Sequence, residues 1–119
     1  MSDLGIRVLV CGRRYFCDAL LLFNALSDLH RSTWIKLIIH GGTPGADTIA
    51  GRWAAQRDVP VEVFRPNWTK WGHTAWVRRN QCMVSDGKPD LVIAVAGGRG
   101  TADCIRRAER AGVKVWKLG

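Results

Sequence analysis

The sequence predicts a three-layer, Rossmann-like α/β fold in which a parallel sheet of five strands lies between helices on both faces. Short apolar runs alternate with stretches whose apolar residues recur at helical spacing, in the order β-α-β-α-β-α-β-α-β. The run at residues 91–95 is apolar throughout, as is typical of a strand covered on both faces. Right-handed crossovers between such strands give a parallel sheet, for which we expect the strand order 3-2-1-4-5.

The first half of the chain contains three of the predicted strands. Asp18 is expected to open the first helix, because an aspartate side chain accepts a hydrogen bond from a free N–H of the first turn. A glycine-rich turn at residues 40–47 leads from the second strand into the second helix, which ends near residue 57. The three strands are predicted at residues 6–11, 35–39 and 61–64.

The second half begins with a predicted loop at residues 65–72, which would run over the edge of the sheet. Apolar residues at helical spacing indicate a third helix at about residues 73–85 and a last helix at about residues 101–111. Gly112 is expected to end the last helix. The remaining strands are predicted at residues 91–95 and 113–118.

Three glycine-rich turns are expected to meet at one edge of this sheet. The strand order reverses beside the first strand, and ligands of such sheets bind there, outside the C-terminal strand ends. Residues 12–14 and 97–101 would face each other across this point, with residues 41–43 alongside. Glycines let the backbone approach an anion, and the free N–H groups of a helix start point at it. The three turns together predict a phosphate site, although a single one can be only a tight turn.

Composition and charge restrict the class of protein. With 119 residues, 47% hydrophobic and 24% charged, the chain is expected to form one domain over residues 1–119. No apolar run reaches the ~20 residues of a membrane span, and the N-terminus lacks the apolar stretch of a signal peptide, so we expect a cytoplasmic protein without a membrane partner. The four cysteines lie at unrelated spacings, so no metal site, disulfide or cofactor is expected.

The formal charge of +8 favours an anionic partner. A nucleotide-type ligand is the preferred interpretation, since arginine side chains suit phosphate recognition at defined points. A nucleic-acid-binding protein is the alternative, because the six tryptophans could stack bases in a basic groove. The scatter of basic residues along every predicted element argues against this alternative.

Four motifs resemble the SLOG superfamily of Rossmannoid domains, and within it the small YspA-type, cpYpsA-related family. The resemblance covers nearly the whole chain. It implies a domain that binds a nucleotide or nucleotide-derived ligand, such as a nucleoside phosphate, an ADP-ribose or NAD-derived molecule or a cyclic nucleotide signal, as a sensor, sequestering or processing module. It also implies a link to conflict between bacteria and phages. The motifs are residues 10–15 (Val-Cys-Gly-Arg-Arg-Tyr), 40–47 (His-Gly-Gly-Thr-Pro-Gly-Ala-Asp), 79–83 (Arg-Asn-Gln-Cys-Met) and 97–103 (Gly-Gly-Arg-Gly-Thr-Ala-Asp).

The enzyme branch of this superfamily, the LOG phosphoribohydrolases, carries Pro-Gly-Gly-x-Gly-Thr-x-x-Glu. Residues 97–101 match the Gly-Gly-x-Gly-Thr core, but Ala96 replaces the proline and Cys104 the glutamate. The resemblance therefore implies phosphate binding without the carboxylate for N-glycosidic cleavage, and a phosphoribohydrolase-type nucleotide N-glycosidase is a second alternative. The candidate catalytic carboxylates are Asp103 and Asp47, each of which also suits the first turn of a helix on structural grounds alone.

The predicted ligand-binding residues are the glycines of the three turns and the polar side chains around them. Asp47 can accept hydrogen bonds from ribose hydroxyls, and the Thr101 hydroxyl can bind a phosphate or cap the last helix. The full set is Gly12, Arg13, Arg14, Gly41, Gly42, Thr43, Asp47, Arg79, Asn80, Gly97, Gly98, Arg99, Gly100 and Thr101.

Arg79 and Asn80 belong to this set because they share one face of the predicted third helix with Trp76 and Met83, both expected in the core. A buried arginine needs a partner, and a bound anion, a loop carbonyl or Asp90 could each provide one.

Trp68 and Trp71 in the predicted loop could stack a base, cover an apolar edge or form a subunit interface. Because six tryptophans exceed what one small core absorbs, we expect a homo-oligomer, with a dimer the simplest arrangement.

Overall fold

The computed structural model describes residues 4–95 and 97–118, and it confirms the predicted fold class. Five parallel strands form a sheet in the predicted order β3-β2-β1-β4-β5. The strands are β1 (Ile6–Gly12), β2 (Ile35–His40), β3 (Val61–Val63), β4 (Leu91–Val95) and β5 (Lys114–Leu118). The helices are α1 (Ala19–Ser32), α2 (Ala46–Gln56), α3 (Trp68–Trp71), α4 (Ala75–Ser85) and α5 (Arg99–Arg110).

The alternation of side chains along the central strands builds the two helical layers. In β1, Val8 and Val10 pack with α1 and α2, around the fully buried Trp53. Leu9 and Cys11 project to the other face and pack with α4 and α5. Every residue from position 8 to 11 is therefore buried, which explains why this strand reads as a continuous apolar run.

Helix boundaries follow local capping signals. Asp18 is the N-cap of α1, as predicted, and its side chain accepts a hydrogen bond from the Leu21 N–H at 3.1 Å. Gly112 follows α5 with a φ of 79°, and the Val113 N–H returns to the Ala108 carbonyl at 2.9 Å. This left-handed residue ends the helix and leads into β5, as the sequence predicts.

The predicted loop at residues 65–72 is not entirely irregular, which corrects that prediction. Asn67 caps the short helix α3 by accepting a hydrogen bond from the Lys70 N–H at 3.0 Å. A 3₁₀ turn, Gly72–Thr74, follows, so α4 begins at Ala75 rather than near residue 73. The physical reason is the asparagine after Pro66, a helix-start signal that a loop interpretation overlooks.

Helix α5 also begins earlier than predicted, at Arg99 instead of near residue 101. Gly98 is the N-cap, and Thr101 lies buried inside the first turn, where it does not serve as the cap. Ala96, which stands in place of the motif proline, lies outside the described residues.

Four of the six tryptophans are substantially exposed: Trp34 by 59%, Trp68 by 54%, and Trp71 and Trp116 by 39% each. The predicted homo-oligomer stays a prediction. No helix within the described parts of the chain is long and apolar enough to cross a membrane.

Candidate functional site

A cleft of about 530 Å³ lies where β1 and β4 end and α5 begins. This is the point at which the strand order reverses, and the volume is that of a small-molecule site. Most of the predicted ligand-binding residues line it. They are Gly12, Arg13, Arg14, Thr43, Asp47, Arg79, Asn80, Gly97, Gly98, Arg99, Gly100 and Thr101.

Three predicted site residues do not line the cleft: Gly41, Gly42 and Asp103. Gly41 lies behind the wall, since a Cβ on it would overlap the guanidinium of Arg79. Gly42 has a φ of 75°, the left-handed conformation that favours glycine, and its carbonyl lies 3.4 Å from Nη1 of Arg65. These two glycines shape the β2–α2 loop, and Thr43 is its member that reaches the cleft.

The start of α5 offers unsatisfied backbone donors to the cleft. No side chain caps this helix, and the first hydrogen bond to the cap is from the Ala102 N–H to the Gly98 carbonyl at 3.0 Å. The N–H groups of Arg99, Gly100 and Thr101 therefore have no acceptor among the described residues. Together with the helix dipole, they make this end of the cleft attractive to an anion.

The two glycines that precede α5 serve different purposes. A Cβ on Gly97 would overlap the side chain of Thr101, so the tight turn requires glycine there. A Cβ on Gly98 would meet no atom within 4 Å, because this position opens onto the cleft. Gly98 therefore leaves the approach to the helix start free.

Arg79 has hydrogen-bond partners within the protein, and one of them is a loop carbonyl, a partner that the sequence left open. Its Nη1 donates to the Gly41 carbonyl at 2.7 Å, and its Nε donates to Oδ1 of Asn80 at 3.0 Å. Burial lowers the pKa of this guanidinium, while the charge of Asp47 opposes the shift. Asp90 is engaged elsewhere, since it accepts a hydrogen bond from the Arg7 N–H at 2.8 Å. Within the protein, the partner of Arg79 is thus a loop carbonyl, and its contact with a bound anion stays a prediction.

Asp47 organises the β2–α2 loop, a role that the sequence did not suggest. Its buried carboxylate accepts three hydrogen bonds at one oxygen, Oδ2: from the N–H groups of Gly41 and Thr43 at 3.1 Å each and from the Thr43 hydroxyl at 2.8 Å. No described residue donates to the other oxygen, Oδ1. Asp47 therefore fixes the loop and has an acceptor left for a ligand in the cleft that it lines.

His40 supports the same loop from the end of β2. It is buried, and its Nδ1 accepts a hydrogen bond from the Gly42 N–H at 3.0 Å, so the neutral ring carries its proton on Nε2. Burial lowers the pKa of His40. The negative charge of Asp47 opposes this shift, whereas the positive charges of Arg65 and Arg79 lower the pKa further. The neutral histidine is thus a structural part of the loop.

Asp103 is tied to the outer side of α5 and to α4. Its Oδ2 accepts hydrogen bonds from Nε of Arg107 at 2.8 Å and from Nδ2 of Asn80 at 3.1 Å, and Nη2 of Arg106 lies 3.5 Å from Oδ1. Burial raises the pKa of Asp103, but the hydrogen bonds from Arg107 and Asn80 and the charges of both arginines outweigh it and hold the pKa below its ordinary value. The geometry gives this carboxylate a structural role.

Six residues that were not in the predicted set also line the cleft: Cys11, Tyr15, Trp68, Trp76, Met83 and Cys104. The sequence allows base stacking by Trp68 and predicts a core position for Trp76. Tyr15 follows the first motif arginines directly and could have been found from that spacing.

Cys11 and Cys104 form the buried floor of the cleft. The adjacent Cys104 thiol raises the pKa of Cys11, and burial and the charge of Asp47 act in the same direction. Cys11 thus supplies no anion near pH 7. Among residues 4–95 and 97–118, no group of three His, Cys, Asp or Glu side chains is placed to hold a metal ion.

Comparison with known proteins gives two matches. The family model of the YspA, cpYpsA-related SLOG family matches residues 6–71. The Gene 61 protein of Mycobacterium phage D29 is 41% identical over 121 residues, which cover 95% of this chain and 96% of that protein.

Acidification should destabilise the protein through His40. The pKa of His40 is lower in the folded protein than in the unfolded protein. The contribution of His40 to the free energy of unfolding is therefore fully present above about pH 6.5. It is lost as the pH falls below that value, by at most about 1.4 kcal/mol per pH unit. His40→Asn keeps an acceptor near the position of Nδ1 and cannot titrate, so its urea-unfolding free energy should change less between pH 7.5 and 5.5 than that of the wild type. Burial and Arg57 also lower the pKa of His30, so some slope should remain. Equal slopes in the two proteins would contradict the assignment.

Removing the Asp103 carboxylate should lower stability. Asp103→Ala leaves the partly buried Arg107 without its carboxylate and Asn80 without one acceptor, for an expected loss of about 1.5–3 kcal/mol. Glu109→Ala removes an exposed carboxylate from the same helix and serves as the control. Urea unfolding measures both, and equal stability of the two variants would argue against a structural role for Asp103.

Proposed function

The chain belongs to the YspA, cpYpsA-related SLOG family, and we propose that its cleft binds a nucleotide or nucleotide-derived ligand. The observation that carries this proposal is the uncapped start of α5 at Gly98, which presents free N–H groups to the cleft. Family membership is consistent with a nucleotide-related function. The phosphate of the ligand would lie on residues 97–101, within reach of the Thr101 hydroxyl.

The charge around the cleft supports an anionic ligand. Arg13, Arg14 and Arg99 are exposed on its rim, and none of them forms an ion pair with a described residue. Asp47 is the one carboxylate among the described residues that line the cleft, and three hydrogen bonds already engage its Oδ2. A phosphate placed between these cations gains charge-assisted hydrogen bonds.

The other groups in the cleft suit a nucleoside. Oδ1 of Asp47 can accept a hydrogen bond from a ribose hydroxyl, and the rings of Trp68, Trp76 and Tyr15 offer surfaces on which a base can stack. The volume of about 530 Å³ accommodates a ligand of this size.

We further propose that the bound nucleotide is not cleaved efficiently. Cleavage of the N-glycosidic bond needs a carboxylate near the sugar to stabilise positive charge or activate water. Cys104 occupies the position of the motif glutamate, and Asp103 does not line the cleft. Asp47 is the remaining carboxylate, and it holds the β2–α2 loop. A domain that binds without cleaving would act as a sensor or sequestering module.

A negative charge at Gly98 should weaken binding without unfolding the protein. Because a side chain fits at this position, both Gly98→Ala and Gly98→Asp should fold. The aspartate repels a phosphate at the helix start, whereas the alanine adds only a methyl group there, so Gly98→Asp should bind at least about tenfold more weakly than Gly98→Ala.

Calorimetry measures both variants and the wild type with AMP, GMP, CMP, ADP-ribose, NAD and cyclic nucleotides. Equal affinity of Gly98→Asp and Gly98→Ala for the best ligand would place the phosphate elsewhere. The absence of binding to any of these ligands at millimolar concentration would overturn the proposal.

The purified protein should release no free base from AMP, GMP or CMP above the uncatalysed background, as measured by chromatography. The reason is that Cys104 stands in place of the motif glutamate, while Asp47, the one carboxylate among the described residues that line the cleft, holds the β2–α2 loop. Release that persists in Cys104→Ala but disappears in Asp47→Asn or Asp103→Asn would show the opposite and would identify the catalytic carboxylate.

A further inference from the structure

Helix α5 presents a row of arginines to solvent. Arg99, Arg106 and Arg110 are exposed, and the second and third of them lie within about 20° of Arg99 around the helix axis. The three side chains therefore share one face of α5, which we call the arginine row. From Arg99 to Arg110 the row rises by about 16 Å along the helix axis. Because Arg99 also lines the cleft, the row begins at the cleft rim.

The arginine row keeps most of its positive charge. Arg99 and Arg110 form no ion pair with a described residue. Arg106 lies near Asp103, with 3.5 Å between Nη2 and Oδ1, but the arginine side chain remains 60% exposed whereas that of the aspartate is 9% exposed. The same carboxylate also pairs with Arg107 at 2.8 Å, so its charge is shared between two arginines.

The remaining acidic residue of α5 does not lie within the row. Glu109 is exposed, and it lies at least about 60° around the helix axis from each arginine of the row. Basic residues that are scattered along the sequence are thus gathered on one helix face by the fold. In a chain with a formal charge of +8, such a face is the electrostatic feature typical of contact with a phosphodiester backbone.

The aromatic rings at the cleft end of the arginine row favour a single strand over a duplex. Tyr15 and Trp68 are both exposed, and they line the same cleft as Arg99. Proteins that hold single strands combine a basic track for the backbone with aromatic rings on which bases stack. The bases of a duplex are stacked on one another, so these rings could not reach them. A single row of cations also suits a single backbone.

We propose that the arginine row binds the sugar–phosphate backbone of a single-stranded nucleic acid, as an interaction surface additional to the cleft. Each arginine would donate charge-assisted hydrogen bonds to a phosphate, and these contacts do not depend on base sequence. Arg106 and Arg110 do not line the cleft, so mutation can separate strand binding from nucleotide binding.

The test is fluorescence anisotropy with a labelled oligothymidylate strand of about 20 nucleotides, measured over a range of salt concentrations. Arg106→Gln/Arg110→Gln should bind the strand on the order of tenfold more weakly than the wild type at about 150 mM salt, because two phosphate contacts are lost. The slope of log Kd against log salt concentration should fall by about 1.4, since each contact with a single strand contributes about 0.7.

Arg31→Gln/Arg52→Gln removes the same number of charges from α1 and α2, on the opposite face of the sheet, and is the matched control. It should keep the affinity and the salt slope of the wild type. Arg110→Gln alone excludes an effect through Asp103, because Arg110 has no ion pair with a described residue. It should lower the slope by about 0.7.

Equal losses in the two double variants would show a diffuse attraction by net charge and would overturn the inference, as would the absence of strand binding at micromolar concentration. Tighter binding of the corresponding duplex would contradict the assignment to a single strand. Polyglutamate that competes as well as an unlabelled strand would instead identify an acidic protein as the partner.

The proposed function is tested separately. Arg106→Gln/Arg110→Gln should bind the best nucleotide as the wild type does, since neither side chain lines the cleft. Loss of nucleotide binding in this variant would contradict the separation of the two surfaces. Failure of strand binding leaves the test with Gly98→Asp unaffected, and failure of nucleotide binding leaves the arginine row unaffected.

Discussion

One continuous chain of hydrogen bonds fixes the geometry of the cleft. It begins at Oδ2 of Asp47, which holds the Gly41 N–H, and the Gly41 carbonyl in turn accepts a hydrogen bond from Arg79. Arg79 donates to Asn80, whose amide donates to Asp103 on α5. Four separate elements, α2, the β2–α2 loop, α4 and α5, are thereby joined by buried polar groups that each have a partner. Because an unpaired buried polar group is costly, the members of such a chain position one another.

This chain also determines the charge that remains for a ligand. Its two carboxylates are used internally: Asp103 by arginine and asparagine donors, and one oxygen of Asp47 by the loop. The rim arginines, by contrast, have no carboxylate partners among the described residues. The site thus attracts anions strongly but offers little that could act as a general base. The proposed binding without cleavage thus has an electrostatic reason, and the same reason would favour a phosphate over a neutral ligand.

The sequence predicted the parts of this arrangement that depend on periodicity. Strand order, the two helical layers and the meeting of the turns follow from apolar runs such as 91–95 and from the handedness of crossovers. What depends on side-chain partners could not be predicted. The sequence offers Arg79 a loop carbonyl, Asp90 or a bound anion, and only the path of the β2–α2 loop shows that the Gly41 carbonyl is within reach. Similarly, a start of α5 at Arg99 rather than two residues later decides whether Thr101 caps the helix or lies within its first turn.

Cys104 stands in place of the motif glutamate. It does more than remove a catalytic carboxylate, because it is also part of the hydrophobic core. Its side chain is buried and packs in the layer that contains Leu9, Met83 and Cys11. A carboxylate at this depth would need either a cationic partner or protonation, and the nearest chain of donors is already committed to Asp47 and Asp103. The apolar floor and the anion-binding rim are therefore mutually consistent. The floor formed by Cys11 and Cys104 is uncharged, while Arg13, Arg14 and Arg99 place positive charge on the rim, as the proposed binding of a phosphate without cleavage of the sugar requires.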